Sequence, residues 1–208
     1  MADIQSYPAS LTVDYPEQLD KISTLFRLFA AIPIVIVLSL ISGVAYQYRV
    51  DDVVYQVAGS GGIVFFALVL MLLFQQKYPR WWFDWNLALT RFSYRVSAYL
   101  GLLRDEYPST DEEQAVHISL EYPDAEALNR WLPLVKWLLA IPHYIMLVFL
   151  GLASVVCIII AWFAILFTGK YPPGLFNFVT GVLRWGLRVT AYTFLLITDR
   201  YPPFSLEA

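Results

Sequence analysis

The sequence predicts an all-α integral membrane protein with a tandem internal repeat: four membrane helices, two interfacial arginine-bearing helices and short cytoplasmic β-strands. Three observations lead there. Of 208 residues, 59% are apolar and 15% charged, and mean hydropathy is +0.58, whereas soluble domains are about a quarter charged. The uncharged residues gather in runs long enough to enter a bilayer. One long segment also occurs twice, as Tyr78–Pro108 and Tyr171–Pro203, each bracketed by Tyr-Pro pairs. A shift of 93 places Arg91 on Arg184, Arg95 on Arg188 and Tyr99 on Tyr192. After a one-residue slip, Asp105 falls on Asp199 and Tyr107 on Tyr201.

Taken in order, the chain opens on a polar, acidic stretch with no basic segment leading into an apolar one, so no cleaved signal peptide is expected. Ala9–Tyr15 alternates and carries β-formers, which predicts a strand stopped by Tyr15-Pro16. Lys21 to about Gln47 reads as the first membrane helix, with Arg27 near its start and a proline kink at Pro33. Residues 48–60 read as a polar loop. The second helix runs from about Gly61, or from Val53, to Phe74. The bracketed segment follows, with Trp81, Trp82 and Trp85 placed as an interfacial aromatic belt.

A charged region then leads into a second alternating strand, Ala115–Tyr122. From there the pattern restarts. A shift of 109 lays Leu134–Pro142 (LVKWLLAIP) over Leu25–Pro33 (LFRLFAAIP), so Lys136 takes the place of Arg27. Trp137–Thr168 has no formal charge over 32 residues, about 48 Å of helix and too long for one crossing of a ~30 Å core. This predicts two helices with a tight turn near Gly151–Ser154. The C-terminal YPPFSLEA resembles the start of a third strand. The repeats are therefore residues 1–108 and 109–208.

Charge bookkeeping decides how the arginine-bearing segments lie. If they cross, the basic residues split evenly and four arginines sit in the bilayer, each costing at least ~2.5 kcal/mol. If they lie in the interface, only Arg49 falls on the far side and the other 13 basic residues share one side. That asymmetry predicts interfacial segments, parallel repeats and both termini in the cytoplasm, in the cytoplasmic (inner) membrane.

Arg91, Arg95, Arg184 and Arg188 are the candidate lipid- or anion-contacting residues, because guanidinium groups grip phosphate or carboxylate in forked geometry. The competing structural reading pairs them with Asp84, Asp105, Asp199 or helix carbonyls. Their narrow polar stripe suits a helix packed in a groove more than one floating on a surface. Arg27 and Lys136 are expected to snorkel to the interface. His143 reads as a packed, hydrogen-bonded histidine and His117 as solvated. The cluster Gly59 to Gly62 reads as a close-packing helix start.

The repeated Tyr-Pro pairs read as punctuation. Two histidines 26 apart and one cysteine match no metal-ligand spacing, and no nucleophile elbow, phosphate loop or dinucleotide fingerprint is present. No catalytic residue, cofactor or metal is expected. A net charge of −3 argues against nucleic acid as a partner.

The residues from Leu134 (LVKWLLAIPHYIMLVFLG) and from Ala161 (AWFAILFTGKYPPGLFNFVTGVLRWGLRVTAYTFLLITDRYPPFSL) resemble the family known as domain of unknown function 4389. The resemblance covers nearly the whole second repeat and, more loosely, the first, where RWWFDW stands for PGLFNF. It implies a small bacterial multi-pass membrane protein and brings no assigned activity. The expected function is a non-enzymatic accessory or scaffold subunit. Its expected partners are membrane lipids and other membrane-protein subunits or copies of itself. The alternative is a homo-oligomeric pore or small-solute or anion transporter, its arginine stripes setting anion preference.

Overall fold

A computed structural model describes residues 7–42, 46–50, 53–57 and 60–207. The chain is mostly helical. Strand β1 (Ala9–Val13) leads to helix α1 (Lys21–Ile41), the strands β2 (Tyr46–Val50) and β3 (Val53–Val57), and helices α2 (Ser60–Gln75) and α3 (Arg80–Leu100). Strand β4 (Val116–Leu120) and helices α4 (Leu132–Leu139), α5 (Ile141–Thr168) and α6 (Pro173–Thr193) complete it.

Local chemistry sets the boundaries. Asp20 caps α1, its carboxylate accepting from the Ile22 and Ser23 amides at 3.2 and 3.1 Å. Helices α3 and α6 begin just after prolines, which need no amide partner there. Gly169 ends α5 at φ +72°, its N–H reaching the Ile165 carbonyl at 2.7 Å. Leu102 and Leu196 hold positive φ, +61° and +56°, just past α3 and α6. Both leucines are buried, so packing holds a conformation their Cβ disfavours.

β1 and β4, each expected from alternation, pair with one another antiparallel, with Leu11 opposite Ile118. Helix α6 packs on α5 and β1, while α3 packs on α1 and β4. The main core forms where these layers meet. Leu11 and Ile118 from the sheet join Leu68 and Leu72 of α2, Phe83 and Ala98 of α3, Ile165 of α5 and Leu187 of α6. By contrast, α1 and α5 leave Phe26, Leu28, Phe29, Phe149, Leu152 and Phe167 exposed.

The structure corrects three boundaries. Helix α1 ends at Ile41 and not near Gln47. The expected loop 48–60 holds an antiparallel hairpin, β2 pairing with β3; Asp51 and Asp52 lie outside the described residues, as does Gly59. The signal was present, since YQYRV and VVYQV are runs of β-formers two residues apart. The turn expected near Gly151–Ser154 is absent, and α5 runs unbroken from Ile141 to Thr168. A glycine with neighbours as apolar as these gives the backbone no partner outside the helix, so the helix continues. The break falls earlier, at Ala140, ahead of Pro142. Pro33, its counterpart, stays inside α1.

Two helical stretches among the described residues are long and apolar enough to cross a membrane, Lys21–Ile41 and Leu132–Thr168. By rise alone α1 spans about 31 Å and α5 about 42 Å, while α2 spans only about 24 Å. The C-terminal segment forms no strand, although residues 201–207 run beside β1 and α6.

Candidate functional site

Two charged residues of the apolar helices, Arg27 and Lys136, are not at a water interface. Arg27, projecting from α1, is buried to 1% exposure, and Lys136, from α4, to 0%. Arg27 forms an ion pair with Asp105. It also donates to the Tyr99 and Arg104 carbonyls at 3.2 and 3.0 Å and sits 4.7 Å from the Tyr99 ring centre. Lys136 pairs with Asp199 at 2.8 Å, donates to the Thr198 carbonyl at 2.7 Å and lies 5.1 Å from the Tyr192 ring centre. Each aspartate has a second donor. Asp105 accepts the Asp20 amide and Asp199 the Asn129 amide, both at 2.6 Å.

The expectation that Arg27 and Lys136 snorkel is therefore overturned. A carboxylate, a carbonyl and an aromatic face replace water around each cation, the condition under which a charge can be buried. The same geometry assigns Asp105 and Asp199 to these cations and not to the arginine stripes.

The four predicted arginines reach backbone carbonyls. Arg91 donates through Nε and Nη2 to the Ile118 carbonyl of β4, both at 3.4 Å, and Arg95 to the Ser109 carbonyl at 2.8 Å. Arg184 donates to the Leu11 carbonyl of β1 at 3.0 Å and the Leu206 carbonyl at 2.9 Å. Arg188 holds the Ser205 carbonyl at 3.2 Å and also the Glu207 carbonyl. The structure thus brings Arg184 and Arg188 together around the C-terminal segment, and separately sets Arg91 and Arg95 against β4. Burial, followed by the neighbouring Arg91, lowers the Arg95 pKa, though a guanidinium stays charged throughout the working pH range.

The surroundings of the two arginine pairs differ. Gly181 of α6 admits the C-terminal segment so closely that a Cβ there would stand 2.9 Å from the Leu206 carbonyl oxygen. Position 88 of α3, its partner at the 93-residue shift, is alanine, and it borders a cavity of about 660 Å³ that Arg91 and Arg95 line.

The Tyr-Pro tyrosines do more than punctuate. Tyr15 donates to the Tyr171 carbonyl, and Tyr122 to the Tyr78 carbonyl at 2.6 Å. Phe176 meets Tyr15 edge-on at 5.0 Å, and Phe83 meets Tyr122 edge-on at 5.2 Å. Tyr7 donates to the Arg188 carbonyl at 3.2 Å, and its burial raises the phenol's pKa well above the ordinary value. Sequence reasoning missed these latches because the partners are carbonyls distant in the chain.

His143 is fully buried, accepts from the Trp185 indole at 3.0 Å and stacks on Phe204 at 4.0 Å. His117 is exposed and faces Asp14 at 3.2 Å. Among the described residues no cluster of three His, Cys, Asp or Glu side chains could hold a metal.

Residues 131–205 match the model of a family described as a domain of unknown function, DUF4389. The match takes in Lys136, Arg184, Arg188 and Asp199. The comparisons with curated proteins and with solved structures give no match.

Proposed function

We propose that this chain is an integral protein of the cytoplasmic membrane, with both termini cytoplasmic, serving as a non-enzymatic accessory or scaffold subunit. It would associate with lipids and with other membrane-protein subunits or copies of itself. The observation that carries the reading is the pair of unpartnered apolar faces on α1 and α5. Phe29 is 72% exposed, Leu152 62% and Phe167 80%, and monomeric water-soluble folds rarely leave so large an apolar surface uncovered. Consistent with a scaffold, Arg27 and Lys136 of the apolar layer pair with carboxylates inside the fold.

The reading includes a duplication. Its support is the matched set of contacts on the two sides: Arg27–Asp105 over Tyr99 beside Lys136–Asp199 over Tyr192, and Arg91 on Ile118 beside Arg184 on Leu11. Leu11 and Ile118 face each other in the sheet, so an approximate two-fold axis would pass between them. Each unit's arginine helix grips the other unit's strand, so neither half would be covered without its neighbour. Because α5 is one helix packed along α6, with its far end bonded to Leu19 and Lys21 at the start of α1, it would rest in the membrane face without crossing, and α1 with the shorter α2 would make the two crossings that leave both termini cytoplasmic. Helices α3 and α6 would lie between that layer and the cytoplasmic sheet.

Extraction into lipid nanodiscs followed by intact-complex mass spectrometry tests the subunit reading. Co-purification with a larger membrane complex at fixed stoichiometry is expected. A closed ring of this chain alone would replace the reading with the homo-oligomeric pore. Recovery in the soluble fraction without detergent would sink the membrane reading itself.

A further inference from the structure

We propose that the open cavity between α3 and β4 binds the headgroup of an ethanolamine-type phospholipid, the phosphate on Arg91 and Arg95 and the ammonium on Asp111 and Glu113. The proposal rests on the membrane reading and deepens it by naming a lipid class and one of two otherwise matched places.

The argument begins with donors. Around α6, Arg184 and Arg188 together engage four carbonyl oxygens, three of them from residues 205–207. Around α3 the nearby segment 109–114 lines the space and, among the described residues, gives these arginines only the Ser109 carbonyl. Arg91 is exposed and touches one carbonyl at 3.4 Å, and Arg95 spends Nη1 on Ser109. Both arginines line a cavity of about 660 Å³, within the range of small-molecule sites, while the Arg95 Nε is buried without a partner. Phosphate oxygens would sit where the other side has carbonyl oxygens, in the geometry that two arginines favour.

Charge selects the ligand further. Asp111 and Glu113 line the same cavity and lie near enough to Arg95 to act on its charge. Two cations and two carboxylates suit a headgroup carrying both signs. A net-anionic headgroup would meet the carboxylates unfavourably, and a quaternary ammonium could not donate to them.

An apolar cleft of about 150 Å³ adjoins the cavity, sharing Ala88 and Thr110 with it and walled by Ile41, Trp85, Leu89 and Phe92. Polar cavity and apolar cleft together match an amphiphile: a zwitterionic head with the start of an acyl chain.

The test uses the full chain in nanodiscs of phosphatidylethanolamine, phosphatidylglycerol and phosphatidylcholine in equal parts, with retained lipid read by native mass spectrometry. Preferential retention of phosphatidylethanolamine, at least tenfold over phosphatidylglycerol, is expected. Arg91→Gln should abolish that retention. Asp111→Asn together with Glu113→Gln should reverse the preference toward phosphatidylglycerol, a gain that misfolding could not produce. Equal retention of the lipids, or a preference unmoved by these variants, overturns the proposal. Soluble glycerophosphoethanolamine and inorganic phosphate are tested as competitors. Displacement of the lipid by millimolar inorganic phosphate would show a site for free phosphate and would also overturn it. Whether the chain needs detergent at all is read separately, so failure of the membrane reading is distinguishable from failure of this site.

Discussion

At the scale of single residues, the decisive groups are two buried cations and the carboxylates that neutralise them. Arg27 and Lys136 are both at most 1% exposed, so removing a partner strands a charge in a dry setting. Asp199→Asn, leaving Lys136 without its counter-ion, is expected to cost about 3 kcal/mol. Adding Lys136→Met should restore much of that loss, since an apolar side chain leaves no charge to satisfy. Thermal unfolding in nanodiscs reads both. A single-variant loss below about 0.5 kcal/mol, the size of an exposed pair, would show that water reaches Lys136. The charges themselves were plain in the sequence. Their destination was not, because Asp199 lies 63 positions from Lys136 and only folding brings the two within 2.8 Å.

At the scale of elements, continuity of α5 separates this fold from the helical pair that charge-free length predicts. Gly151 is the test position. A Cβ built there meets nothing within 4 Å, so Gly151→Ala should stabilise the helix by about 0.5–1 kcal/mol. A higher unfolding temperature in detergent is the expected result. A lower one would mean that Gly151 sits in a turn after all. The length argument erred by assuming that a helix longer than the ~30 Å core must fold back. α5 instead lies along α6 for much of its length, with Tyr144 and Leu147 packed beside Trp185 and Val189. The β2–β3 hairpin was legible from its Val- and Tyr-rich runs, yet two adjoining apolar helices drowned that signal.

At the scale of the whole molecule, the fold stacks a small sheet, a layer of arginine-bearing helices and an outer apolar layer. Membrane placement then makes a topological prediction. A cysteine replacing Asp51, between β2 and β3, should label with an impermeant thiol reagent only from outside the cell. One replacing Glu112 should label only from inside, once Cys157 has been changed to Ser. Labelling of both from the cytoplasmic face would place α1 and α2 in the plane of the membrane and end the spanning topology. The interlocked contacts, α3 on β4 and α6 on β1, also predict that 1–108 and 109–208 will not fold separately.

By itself the sequence determined the mostly helical, apolar character of the chain, the strands at Ala9 and Ala115, and the correspondence of Arg27 with Lys136 and Asp105 with Asp199. These follow from hydropathy and alternation, which act over a few residues, or recur at a fixed shift. Tertiary structure alone decided that the strands pair with each other and that the cations are buried in ion pairs. It also decided that Arg184 and Arg188 are spent on the C-terminal segment while Arg91 and Arg95 face an open cavity. Carbonyl partners carry no sequence identity, and a guanidinium reaches whichever oxygen the fold presents. The two arginine pairs look alike in the chain and differ in the molecule because residues 205–207 fill the space beside one pair, while residues 109–114 only line a cavity beside the other.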